Sequence, residues 1–172
     1  MMLVNITKKL SKVLLLSILA IIGYALFKGD DPIVVVKGNF EYKPIPFELE
    51  ATNDIVCKML IRSYEGSTQA ITQNGDTYFF NDVGCMMTWH QNQPHQKKIR
   101  LWVYTNDTHR WIDAKIAHYS TTNKTTLGYG FGAYEASRKG YIDYAQMQQR
   151  MAQEEHLLNP KVRKRLFEGR YD

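Results

Sequence analysis

The chain has 172 residues, 44% hydrophobic and 23% charged, which excludes a disordered polymer and allows one domain with appendages. Its net charge of +5 is concentrated at the ends. Of the 22 basic residues, four lie in 1–28 and five in 161–172; two of the 17 acidic ones lie in 161–172, leaving 13 bases against 15 acids in 29–160. A phosphate-binding surface carries its basic face on the folded domain itself, so this distribution argues against nucleic acid as a partner.

The N-terminus opens with "KKLSK" and continues as "VLLLSILAIIGYALF", fifteen residues without a charge. A positive flank before an apolar run is the pattern of a secretory targeting segment, with the lysines kept cytoplasmic. No small-residue cleavage site follows and no cysteine stands near its end. Residues 1–28 therefore read as an uncleaved signal anchor rather than a cleaved signal peptide. With either outcome the remainder is extracytoplasmic, and a periplasmic domain on an inner-membrane anchor is expected.

"KGDDP" reads as a linker, and "IVVVK" and "FELE" as short β-prone runs around the proline-containing loop "YKPIP". "IVCKMLIR", "STQAITQ" and "TYFF" read as strands, with "YEG" and "NGD" as turns; Asn-Gly suits the positive φ of a type I′ hairpin. "NDVGCMMTWHQNQ" reads as a helix capped by Asn81 or Asp82. "IRLWVYT" reads as a central strand, "IDAKIAHYS" as another, and "YGFGAYE" as a third. "IDYAQMQQRMAQEEHLL" reads as a helix capped by Asp143, with Tyr144, Met147 and Met151 on one face, ended by Asn159–Pro160. The order predicts an α+β fold with a mainly antiparallel sheet and packed helices. Three segments follow: anchor 1–28, domain 29–160 and a basic tail 161–172, read as disordered or loosely docked.

Two cysteines carry the candidate chemistry. On a strand, Cys57 and Met59 would share one face, offering a thiol and a thioether, the donors preferred by soft Cu(I). Cys85 falls in the first turn of the predicted helix, where the helix dipole favours a thiolate, and Met86 and Met87 follow it. The two clusters could converge on one ion. From the residues alone a Cys57–Cys85 disulfide in an oxidising compartment ranks ahead of a metal site, followed by a catalytic or redox thiol and by two unpaired buried cysteines. Among the histidines, His90 reads as a solvated helix residue, His95 and His109 as exposed loop residues, His118 as a strand residue and His156 as surface. No catalytic triad, paired-carboxylate, P-loop or HExxH pattern occurs, so no enzyme is expected.

"CKML" followed by "FFNDVGCMM" resembles the C-G-M and F-D-D-(I/V)-G-C-M pair of the nitrous oxide reductase accessory protein (NosL) family. "RWIDAKIAHY" and "TTLGYGFGAYEA" are similar to that family's W-x-x-A-x-x-A-x-(Y/V) and T-P-M-G-x-G-x-x-A segments, in the same order across residues 54–140. The resemblance implies two ββαβ-like halves and a membrane-tethered Cu(I) chaperone with Cys57, Met59, Cys85 and Met86 as ligands. Its partners would be a copper-dependent client enzyme, nitrous oxide reductase or a relative, or that client's assembly factors. This chain departs from the family at three positions: Asp54 replaces a further cysteine, Lys58 a glycine and Leu127 a methionine. The departures mark it as a divergent, membrane-anchored member.

Overall fold

The computed structural model describes residues 2–27 and 32–169 and divides into two compact units, Met1–Asp31 and Pro32–Asp172. The first unit is one helix, α1 (Met2–Phe27). Among the described residues no helix is long and apolar enough to cross a membrane. The expected boundary at 28/29 and the last three residues of the tail lie outside the described residues.

The second unit is α+β. Five strands form an antiparallel sheet in the order β1-β3-β2-β4-β5, from Val35–Val36, Thr68–Ile71, Thr77–Phe80, Arg100–Tyr104 and Trp111–Asp113. A two-stranded sheet pairs β6 (His118–Ser120) with β7 (Gly132–Tyr134). The β2–β3 hairpin forms where "NGD" places it, with Ile71 opposite Thr77. Its turn is not type I′. Gly75 N–H donates to Thr72 O and Thr72 N–H to Asp76 O, and within this loop Gly75 carries the positive φ, +78°. That is a type I turn closed by a glycine bulge, which needs one left-handed residue where type I′ needs two.

Helix α2 (Val83–Gln91) starts at Asp82, whose Oδ1 accepts from Gly84 N–H at 2.9 Å. It connects β3 to β4, which lie parallel on either side of β2, so the chain crosses the sheet face over β2. One core fills that face: Ala70, Phe80, Leu101 and Val103 from the strands, Cys85, Met86 and Met87 from α2, and Met147 and Met151 from α3 (Tyr144–Ala152). Asp143 caps α3 in a reciprocal capping box with Gln146. Strand alternation sends Phe79 to the opposite face, where Phe47 and Ile61 cover it. Gln69, buried on β2, pairs with both backbone groups of Ile45 at 3.0 and 2.8 Å, so its amide acts as a peptide group holding this cover.

Three further readings change. Residues 54–61 form no strand: Asn53 and Leu60 make one antiparallel bridge and the residues between them close a loop. The expected single strand through 112–120 is broken at 114–117, and its two parts enter different sheets. Asn159–Pro160 begins a helix instead of ending one: Asn159 caps α4 (Pro160–Phe167), and proline at its first position sacrifices no intrahelical bond. Val162 is buried, so this part of the basic tail is docked.

Candidate metal centre

The loop closed by Asn53 and Leu60 is organised around Asp54. Asp54 N–H donates to Met59 O at 3.0 Å, and Lys58 N–H to Asp54 O at 2.9 Å. The carboxylate is wholly buried. Its Oδ1 accepts from Val56 N–H (2.7 Å) and Cys57 N–H (3.1 Å), and its Oδ2 from Asn81 N–H (2.8 Å). Lys58 completes the turn at φ +63°, left-handed backbone that glycine adopts without cost and lysine does not. One short polar side chain thus replaces the ladder bonds that a strand would have supplied.

The second half of the site is the start of α2. Asp82 caps the helix and its Oδ2 accepts from Leu127 N–H at 3.1 Å, tying the 125–130 loop to the helix terminus. Gly84 lies against Tyr129: a Cβ at Gly84 would fall 2.0 Å from the ring, so only glycine admits this contact. Cys85 follows, in the first turn and buried. Asn81 bridges the halves, donating to Met59 O at 3.2 Å and standing 3.9 Å from Cys57 Sγ.

The result is a cluster of three. The Asp54 carboxylate and the Cys57 and Cys85 sulfurs all lie within 4.8 Å of one another, and both thiols are free. Cys57 is half-buried and Cys85 fully so. Of the other residues expected as ligands, Met59 is 43% exposed on the outer side of the loop, and Met86 is buried in the main core. Met86 follows Cys85 by one residue, about 100° round the helix. Cys57 and Met59 therefore come near the site through a turn, not through a shared strand face. Leu127 is half-buried against the main core.

Asp54 is the candidate donor missed in the sequence, where it stands only as a departure from a family cysteine. Its signal was an Asx residue opening a tight turn: Asp at i caps the amides of i+2 and i+3.

The electrostatics of the cluster run against a reactive thiol. Burial pushes Cys85 well above the ordinary thiol range, and Asp54 and Asp82 add to the shift. Burial and Asp54 also raise Cys57, against the donors Met59 N–H and Asn81 Nδ2. The helix-terminal position of Cys85 was expected to favour its thiolate. Desolvation and two carboxylates outweigh the dipole here, because the first-turn amide of Gly84 already serves the Asp82 cap. Asp82 itself is raised by burial, although Thr125, Gly84, Leu127 and Tyr129 donate to it. A metal ion would displace the thiol protons and supply the positive charge that the surroundings lack.

The histidines stand apart from this cluster. His90, expected in solvent, is buried between α2 and the 3-10 turn Gln96–Lys98, with Nε2 3.1 Å from Gln96 O. Its burial lowers its pKa, because α2 turns that face toward the protein rather than outward. His156, expected at the surface, is half-buried with its ring 5.0 Å from that of Tyr129. His95 and His109 are exposed, and His118 lies on β6.

Comparison of the chain with protein-family models and with curated proteins gives no match.

Proposed function

We propose that this protein is an extracytoplasmic carrier of Cu(I), not an enzyme, that holds the ion between Cys57 and Cys85 and passes it to a copper-dependent client enzyme or that client's assembly factors. The observation that carries the reading is the convergence of both cysteines of the chain on one point, with Asp54 beside them. Two thiolates at metal–sulfur bonds of about 2.3 Å span up to about 4.6 Å when two-coordinate, which a separation within 4.8 Å accommodates. Cu(I) rather than another soft ion follows from the resemblance to the NosL family, as do the client, nitrous oxide reductase or a relative, and the thioethers of Met59 and Met86 as further ligands.

The asymmetry of burial fits transfer by ligand exchange. Cys85 lies inside, Cys57 is half-exposed, and Met59 faces solvent next to it, where a partner's donors can reach first. The run β2–β3–α2–β4 has the ββαβ order that the resemblance implies for each half, whereas the second half runs β5–β6–β7–α3 and departs from it. Tethering to the inner membrane with a periplasmic domain rests on the lysine-flanked apolar run of the N-terminus.

Anaerobic titration of the reduced full-length chain against a Cu(I) chelator should show one tightly bound Cu(I) per chain. Replacing Cys57→Ser together with Met59→Leu should abolish it, and unchanged stoichiometry in that double variant refutes the assignment. The proximity of the sulfurs also favours a second reading, an interaction domain stapled by a Cys57–Cys85 disulfide, worth about 3–4 kcal/mol by chain entropy. Thiol counting on unreduced protein separates them: no free thiol, with no copper uptake after mild reduction, selects the staple.

A further inference from the structure

We infer that the Asp54–Cys57–Cys85 cluster is a three-donor site that also takes a borderline divalent cation, Zn(II), with Asp54 as the ligand that distinguishes it from Cu(I). The inference rests on the proposed reading of Cys57 and Cys85 as a metal site, and it adds a third donor and a second class of cargo.

Two independent features lead there. The first is geometry. Three donor atoms within 4.8 Å of one another outline one face of a coordination tetrahedron. Bonds of about 2.0–2.3 Å to zinc give tetrahedral edges of about 3.3–3.8 Å, so closing on an ion requires each edge to shorten by at most about 1–1.5 Å. Asp54 is positioned as ligating carboxylates generally are, by hydrogen bonds behind it. Val56 and Cys57 amides occupy Oδ1, whereas among the described residues Asn81 N–H is the one backbone donor on Oδ2, leaving that oxygen a lone pair for the ion. The fourth position falls to water, or to the solvent-exposed Met59 after its side chain turns inward.

The second feature is charge. The carboxylates at the cluster are Asp54, within 4.8 Å of both sulfurs, and Asp82, which caps the helix that carries Cys85. A monovalent ion leaves one of two thiolate charges uncompensated, with both carboxylates still present. A divalent ion neutralises both thiolates and leaves only the carboxylates to be met by their amide donors. Cu(I) gains little from a hard oxygen donor, whereas zinc accepts thiolate and carboxylate together. The position at which the family resemblance expects a third soft sulfur is therefore the position that broadens the cargo.

Parallel titrations of the reduced full-length chain, with Zn(II) against a chromophoric chelator and with Cu(I) against a Cu(I)-specific one, test the inference. Wild type should bind one Zn(II). Asp54→Asn should weaken Zn(II) by about tenfold or more while shifting Cu(I) affinity by less than about twofold. X-ray absorption of the zinc-loaded wild type should show two sulfur ligands and at least one oxygen, which decides the question even if Asp54→Asn fails to fold. Absence of Zn(II) binding, equal loss of both metals in Asp54→Asn, or a zinc shell without oxygen overturns it. Cu(I) bound without Zn(II) removes this inference alone; Zn(II) bound without Cu(I) removes the copper-carrier reading alone; neither ion bound removes both.

Discussion

The two halves of the candidate site hold their cysteines by opposite means. Cys85 sits on a helix whose start is fixed three ways: the Asp82 cap, the Leu127 amide on that same carboxylate, and the Tyr129 ring on Gly84. Cys57 sits on a loop whose conformation depends on one carboxylate, three amides and a lysine in left-handed backbone. The helix presents its sulfur rigidly and buried; the loop presents its sulfur half-exposed at modest stability. A site that must both hold and release an ion benefits from this division, since one ligand can remain in place while the other moves.

Three perturbations probe that contrast. The largest effect is expected from Gly84→Ala. Its Cβ would enter the Tyr129 ring, so the helix start or the 125–130 loop must shift; a loss of about 3 kcal/mol or more in urea unfolding is expected. A loss below 1 kcal/mol would mean that the helix half is not rigidly packed. On the loop half, Lys58→Gly should act in the other direction, stabilising by about 1 kcal/mol through relief of the left-handed backbone, tempered by the freedom glycine adds to the unfolded chain. Destabilisation by Lys58→Gly would show that the lysine side chain, not the backbone, decides that turn.

The third effect, absent at neutral pH, is in pH dependence. Both thiols are raised in the folded state, so the unfolded chain releases their protons first. Stability should be fully present below the unfolded thiol pKa of about 8.5 and should decline as pH rises above it. The difference in urea stability between wild type and Cys85→Ala, followed from pH 8 to 10, isolates the buried thiol from the tyrosines and lysines common to both. A difference that stays constant across that range would contradict the burial of Cys85.

Much of the fold was legible locally. The β2–β3 hairpin, the Asp82 and Asp143 caps, and the Met147/Met151 face depend on interactions within a few residues, and the structure reproduces them. Two errors came from reading punctuation in one direction. Asn159–Pro160 can end or begin a helix, and the docking of Val162 selected the beginning. The run through 112–120 is apolar enough for one strand, but Ala114 and Ala117 are buried at a corner between two sheets.

For the site, the residues alone identified the two cysteines and the helix start that carries one of them, because capping and turn position are local. The tertiary structure decided the rest. "DIVCKMLI" has the composition of a strand, yet it meets β3 through Ile55 N–H to Phe79 O at 3.3 Å, and Asp54 folds the residues that follow into a loop instead. The same packing turned Asp54 from an apparent loss into a third candidate donor, buried His90, and brought Cys57 to Cys85 across 28 residues of chain. Convergence of distant donors depends on how the hairpin and helix pack, and that is a property of the folded core rather than of any short window of sequence.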